Sequence, residues 1–331
     1  MIFTAGSVAL LAIAGAAFAL IGPAMARAWL FAFICFSIVP IGSLALLLVQ
    51  GLTGGRWGRE LLPVLEPAAR ATILLIPLSL PILVAHGAIY PWPGQGVPGD
   101  VARLYANGPF FALRTLAGLA IWSLLAWGSA WRRPLYAGVG LCLHLLCLTF
   151  LPADWILSVQ AHSSSASFGL GFGIEQILAA LGFVAVLAPQ SGDEQANADL
   201  AGMIIAALLG TVYFAYTQFV ITWYGNLPEK VAWFATRAMD AWPVIAGIAF
   251  LCGAALPFLA CMAPAIRHSR KRLRLVGGLV VVGAVLHITW LLIPTLGLSA
   301  LWLGILPAGV LAAAALGIAP LLARGMPHAR G

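Results

Sequence analysis

Charge is scarce in this sequence. Only 8% of its 331 residues are Asp, Glu, Lys or Arg, against about 25% in a soluble domain, which excludes an ordinary water-solvated surface. No Cys-x-x-Cys-His stretch is present to attach a c-type heme, and no cysteine cluster to hold iron and sulfur. Membrane b-type cytochromes clasp heme between histidines of facing helices, usually two per helix. Here no apolar run carries two histidines, which argues against heme b. A glycine-rich phosphate loop is also missing. The apolar runs do not alternate with period two, which excludes a transmembrane β-barrel. The five cysteines (Cys35, Cys142, Cys147, Cys252 and Cys261) are odd in number and all lie within apolar runs. They are packing residues rather than a disulfide framework, and Cys142 and Cys147 do not have a metal-ligand spacing.

Apolar residues dominate instead, at 62% of the chain. A membrane span needs roughly 20 such residues, and in lipid the backbone must satisfy itself, so each long run is a helix. Ten spans are predicted, at 3–24, 29–51, 71–90, 108–130, 134–151, 166–188, 199–222, 241–265, 275–296 and 300–323. The fold class is all-α: a polytopic membrane protein forming a single integral membrane domain. Ala24-Met25-Ala26 looks like a small-residue cleavage site, but no Lys or Arg precedes the first run. A secretory signal has a positive start, so that run is read as a retained helix.

The net charge of +7 is no nucleic-acid signal, because the basic residues sit at helix ends. Alternate loops on the side of both termini hold Arg56, Arg59, Arg70, Arg132, Arg133, Arg267, Arg270, Lys271, Arg272, Arg274, Arg324 and Arg330; the other side holds Arg27, Arg103, Lys230 and Arg237. Positive charge marks the cytoplasmic face, so both termini are expected there. The cluster from Arg267 to Arg274 is the main anchor and also suits anionic lipid. Three motif-rich loops then share the outer face: Tyr90 to Pro93, Asp154 to Gly169, and Trp223 to Lys230.

Ionisable groups inside a membrane are costly, so each is a functional candidate. Within spans these are His86, Arg114, His144, Glu175 and His287; Asp154 and His162 lie at the outer edge, and Glu66 just before the third span on the inner side. Glu175, near mid-membrane, is either a proton carrier or a hydrogen-bonded packing carboxyl. His86 and Tyr90 lie one turn apart and share a face, as an interfacial pair or part of a ligand site. His144 and His287 stand alone in apolar surroundings and are read as core histidines. Thr211, Gln218 and Thr222 form a stripe that either lines a cavity or bonds a neighbouring helix. Pro152 ends the fifth span, and Asp154 with His162 then offers a carboxylate and an imidazole to a quinol head group, or a plain interfacial loop in which a serine caps the sixth span.

The stretch Gly54-Gly55-Arg56-Trp57-Gly58 through Glu66, Pro77, Pro81 and Tyr90-Pro91-Trp92 resembles the NrfD-like (polysulfide reductase membrane subunit) family. Asp154-Trp155-Ile156-Leu157-Ser158 with His162 and Phe168-Gly169 resembles the family's Asp-Trp-x-Met-Ser-Leu-x-Pro-His-Trp signature, with Ala161 and Ser163 in place of its Pro and Trp. Tyr216-Thr217-Gln218-Phe219 followed by Trp223, Tyr224, Gly225, Asn226, Leu227, Pro228 and Glu229 is similar to the most specific motif, that of the second large membrane subunit of alternative complex III. The resemblance covers roughly residues 50 to 295. It implies a quinol:cytochrome c oxidoreductase of the bacterial inner membrane. It also implies two four-helix bundles (29–151 and 166–296) and partners: a sister NrfD-like membrane subunit, an iron–sulfur subunit and c-type heme subunits.

The expectation is a membrane subunit without its own redox cofactor, contributing to quinol oxidation or proton translocation. Quinone or quinol would sit at an outer-edge site of Asp154, His162, His86 and Tyr90, with Glu66, Glu175 and Gln218 as a proton path. Two alternatives stand beside it. One is a secondary transporter, for which the prolines of spans three and eight suit broken helices. The other is a purely structural membrane anchor of a redox complex.

Overall fold

Backbone groups in lipid have no water to bond, and helices are how this chain meets that constraint. The computed structural model describes residues 15–18, 20–92, 99–127, 129–161, 163–189, 193–225, 228–305, 307–309 and 311. Among them are helices and turns but no strand. The first seven helices are α1 (Pro23–Thr53), α2 (Arg56–Arg70), α3 (Thr72–Val84), α4 (His86–Ile89), α5 (Gly99–Leu104), α6 (Gly108–Ala126) and α7 (Pro134–Trp155). They are followed by α8 (Phe168–Leu187), α9 (Glu194–Gly225), α10 (Pro228–Arg237), α11 (Trp242–Phe250), α12 (Leu256–Met262), α13 (Pro264–Arg267) and α14 (Arg270–Leu296). A π turn, Leu251–Ala255, joins α11 to α12.

Eight stretches among the described residues are long and apolar enough to cross a membrane: α1, Glu60–Val84, α6, Pro134–Val159, α8, α9, Trp242–Met262 and α14. They match the second to ninth expected spans. The chain is an all-α, polytopic, membrane-embedded protein. Most of the first expected span and the end of the tenth lie outside the described residues.

Two boundaries differ from the sequence expectation. The third span was expected at 71–90, but its apolar helix α3 stops at Val84 and is preceded by the amphipathic α2, which buries Leu61, Leu65 and Ala69. Gly54 and Gly55 turn the chain from α1 into α2 with φ of 67° and 113°, a region that favours glycine. The fifth span was expected to end at Pro152, yet α7 runs on to Trp155. Proline only deletes its own N–H bond to the carbonyl four residues back, here that of Leu148. That carbonyl packs against Gly169 of α8, where an added Cβ would lie 1.9 Å from it.

The core centres on α1 and α8. α1 packs on α2, α3, α7 and α8, and α8 packs in turn on α9 and α14. Gly42 of α1 meets the backbone of α8 so closely that a Cβ would stand 1.9 Å from the Gln176 carbonyl oxygen. One hydrophobic cluster runs from Ala26 to Leu296 and beyond, so the expected bundles 29–151 and 166–296 meet along this crossing. Arg132 Nη2 reaches Glu66 Oε1 at 2.7 Å, and Arg274 donates to the Ala188 carbonyl at the end of α8, as cations do at helix C-termini.

Candidate functional site

The described parts of the three motif-rich loops lie at one end of the helix bundle. Asp154, in the last turn of α7, is buried and faces Arg114 of α6. Arg114 Nε donates to Asp154 Oδ2 at 2.7 Å and Nη2 to Oδ1 at 3.2 Å. The two-point contact suits the planar guanidinium. The Tyr105 hydroxyl donates to Oδ1 at 2.8 Å, and the Arg114 guanidinium stacks 3.8 Å from the Tyr105 ring centroid. Burial and then the Asp154 charge push the Tyr105 phenol upward from its ordinary pKa, so it stays a donor throughout the physiological range. Asp154 is thus a committed acceptor in an ion pair, not a free carboxylate in a loop. Arg114, which lies within the α6 span, is the residue that sequence reasoning left without a role.

His86 and Tyr90 join this end through aromatic stacking. Trp92 stacks on both, at 5.6 Å from His86 and 5.9 Å from Tyr90. His86 Nδ1 lies 2.8 Å from the Leu83 carbonyl, and the buried Tyr90 hydroxyl donates to the carbonyl of Trp155, beside Asp154. Trp155 in turn donates to Thr115 on α6. The shared face expected for His86 and Tyr90 is therefore a wall that holds the end of α7.

A pocket of about 490 Å³ opens beside Asp154, lined by Tyr105, Ala153, Asp154, Leu157, Ser158, Ser163–Ser165, Ala166 and Lys230; His86 and Tyr90, expected at the same site, do not line it. Ligand pockets run about 300–1,000 Å³, so this one has the volume of a small-molecule site. His162 lies outside the described residues; its neighbour Ser163 lines the pocket. The Ser163 hydroxyl is buried and has no hydrogen-bond partner among the described residues. Ser167 stands at the start of α8, but its side chain makes no cap; it pairs with Ser165.

Smaller cavities lead inward. One of about 50 Å³ shares Leu157, Ser163–Ser165 and Lys230 with the outer pocket and adds Gln218 and Thr222. A second, of about 70 Å³, shares Gln218, Trp233 and Phe234 with the first and is lined by Thr211, Glu175 and His287. Each is large enough for water. The stripe of Thr211, Gln218 and Thr222 thus faces cavities, which settles one of the alternatives the sequence left open. At the inner end of this series His287 Nδ1 lies 2.7 Å from Glu175 Oε1. Glu175 is buried, and the His287 ring stacks on Trp290 at 5.7 Å. His287 is therefore not an isolated core histidine, as its apolar sequence neighbours implied. It is the partner of the mid-membrane carboxyl, and the pair can hold a proton on either side of one hydrogen bond. Compared with family models and with curated proteins, the chain matches none.

The remaining candidates separate from this site. Glu66 is buried in α2, paired with Arg132 at 2.7 Å and Arg70 at 4.0 Å, and it lines none of the three cavities. An ion pair is a poor relay, so Glu66 reads as an anchor. Trp223 and Tyr224, near the end of α9, are exposed, and Pro228 starts α10. Asn226 and the side chain of Glu229 lie outside what the structure describes. His144 is buried beside Trp122. The described residues contain no group of three or more metal-ligating side chains.

Sequence reasoning also passed over Arg237. It is buried, stacks 3.3 Å over Trp233, and donates to the carbonyls of Leu291 and Trp233, to Gln160 Oε1 and to Thr295 Oγ1. All five donors are used. Burial draws its guanidinium down to about 9, which leaves it charged at neutral pH. It clamps α10 and the 157–160 turn onto α14, and so fixes Trp233 as the wall shared by the two inner cavities.

Proposed function

We propose that this chain is the membrane subunit of a quinol-oxidising respiratory complex of the NrfD-like family, working without a redox cofactor of its own. The observation that carries the reading is the series of cavities from the outer pocket at Asp154 to the Glu175–His287 pair. A quinol head group needs hydrogen-bonding groups at the lipid edge, and the pocket offers Ser158, Ser163 and Lys230 around the Asp154–Arg114–Tyr105 cluster. Oxidation of one quinol to quinone releases two electrons and two protons. The electrons pass to heme and iron–sulfur groups of partner subunits. The two protons leave at the outer face, one of them held in transit by Glu175 and His287, which Gln218 links to the outer pocket along the water-sized inner cavities. Asp154 acts here by holding Arg114 and Tyr105 in place.

A transporter would place its substrate near the midplane. Here the mid-membrane cavity is water-sized and the ligand-sized pocket is at one end, which favours the redox reading. The test is Ala166→Trp, which fills the rim of the outer pocket. Quinol-dependent cytochrome c reduction by the assembled complex is expected to lose at least about tenfold in kcat/KM, while Leu146→Trp, on an exposed face of α7, keeps it. Equal kinetics for the two variants would remove the pocket from the reaction.

The reading also fixes orientation in the bacterial inner membrane, with both termini cytoplasmic. A cysteine placed at Arg272 is expected to resist a membrane-impermeant thiol reagent in intact cells, and one at Ser164 to react. The reverse pattern would invert the topology and put the pocket on the wrong face.

A further inference from the structure

One positive charge inside the protein has no answer. Arg270 opens α14 and is 2% exposed, and its Nε, Nη1 and Nη2 are all buried without a hydrogen-bond partner among the described residues. It belongs to none of the described ion pairs; Glu60 of α2 is near enough to act on its charge but does not bond it. A guanidinium does not shed its proton, and an uncompensated buried charge is heavily penalised. One turn along the same face, Arg274 gives Nη2 to the Ala188 carbonyl while its Nε is buried and without a partner. Ser269 makes no side-chain cap at the start of α14, and no acidic residue stands in its first turn. The positive end of the helix therefore adds to the two arginines. Asn197 Nδ2 donates to the His268 carbonyl and ties α9 to the turn before α14. This end lies roughly 30 Å along α14 from Leu291, where Arg237 is bonded.

We propose that Arg270, the Arg274 Nε and the start of α14 form a site that encloses one phosphate group, carried by an anionic lipid head group or free as inorganic phosphate. The planar guanidinium fork matches phosphate oxygens, and helix N-termini bind phosphate through their first amides. A tetrahedral phosphate can face the fork, the second N–H and the helix end together. A planar carboxylate is used up by the fork alone, and the carboxylate already at hand, Glu60, does not take it. Depth also fits a head group: Arg270 is the first residue of the α14 span, and Leu275 is 74% exposed. The exposed Lys271 and Arg272 draw anions to this end. A side chain of a neighbouring subunit is a poor match, because the guanidinium is recessed and the cofactor-bearing partners of the proposed complex belong at the outer pocket. The long Arg270 side chain has the freedom to close around an anion taken up as the helices assemble.

The test is native mass spectrometry of the chain, purified in mild detergent with whatever subunits accompany it and then released in the gas phase. The wild-type chain is expected to keep one adduct, whose mass tells an anionic phospholipid from inorganic phosphate. Arg270→Leu is expected to lose that adduct at least about tenfold, and Arg270→Lys, which keeps the charge but not the fork, at least about threefold. Lys271→Leu, at the exposed charge beside it, keeps the adduct. If Arg270→Leu does not assemble, Arg270→Lys carries the comparison. A wild-type chain without an adduct would overturn the proposal, as would equal adducts in wild type and the Arg270 variants, or an equal loss from Lys271→Leu. With no adduct and equal falls in thermal midpoint for Glu60→Gln and Arg270→Leu, Arg270 is the partner of Glu60 instead. The readout involves no quinol, so its failure leaves the reading of the outer pocket standing.

Discussion

Arg114→Ala is expected to destabilise the chain by about 3–5 kcal/mol, the usual cost of leaving one member of a buried ion pair alone. Asp154 would remain buried at the end of α7 with only the Tyr105 hydroxyl to answer its charge. The tie between α6 and α7 would open, and with it the wall formed by Tyr90, Trp92 and Trp155. Asp154→Ala has the mirror effect on Arg114, whose side chain is 14% exposed. Replacing both with leucine removes both desolvated charges and is expected to recover most of the stability, without recovering quinol-dependent turnover. Thermal unfolding in detergent, followed by fluorescence-detected gel filtration, separates the cases. An unchanged midpoint for Arg114→Ala would mean that the pair is not what holds this end of the bundle.

The second large effect is expected at Glu175. Glu175→Gln keeps a side chain able to hydrogen-bond His287 but cannot take up a proton. Positioned proton-transfer groups contribute roughly 10²–10⁴-fold to rate, so quinol-dependent cytochrome c reduction should fall at least about a hundredfold. His287→Gln should do the same, because the two share one hydrogen bond at 2.7 Å. Thermal midpoints should barely move, since both variants keep the shape of the cavity. Glu66→Gln should keep turnover and lose stability instead, because Arg132 and Arg70 would be left without their carboxylate. Wild-type turnover and proton release in Glu175→Gln would make the pair a packing contact and favour the anchor reading.

The helices were legible because the bilayer writes them as long apolar runs, and eight of the ten can be followed through the described residues. Where the reading failed, it failed on tertiary pairing. Arg114 and Asp154 are 40 residues apart, and Glu175 and His287 are 112. Nothing in local composition says which helix faces which, so His287 read as an isolated histidine and Asp154 as a loop carboxylate. Pro152 misled for a second reason: in a membrane a neighbouring helix can cover the carbonyl that a proline leaves unbonded, as Gly169 does for Leu148. The stripe of Thr211, Gln218 and Thr222 was visible at helical spacing, but only the packing of α8, α9 and α14 turns it toward water-sized space. Arg237 was counted as a loop charge, because its burial depends on α10 folding back onto α14.

The most direct measurement of the central claim is gentle purification of the tagged chain from its native membrane, with its companions identified and heme spectra recorded before and after quinol is added. The account expects subunits carrying c-type heme and iron–sulfur motifs to stay bound, and a heme absorbance that quinol reduces. It also expects no Soret band to remain once this chain is separated from them. A chain that purifies without heme-bearing or iron–sulfur-bearing companions, or whose companions show no reduction by quinol, would contradict it.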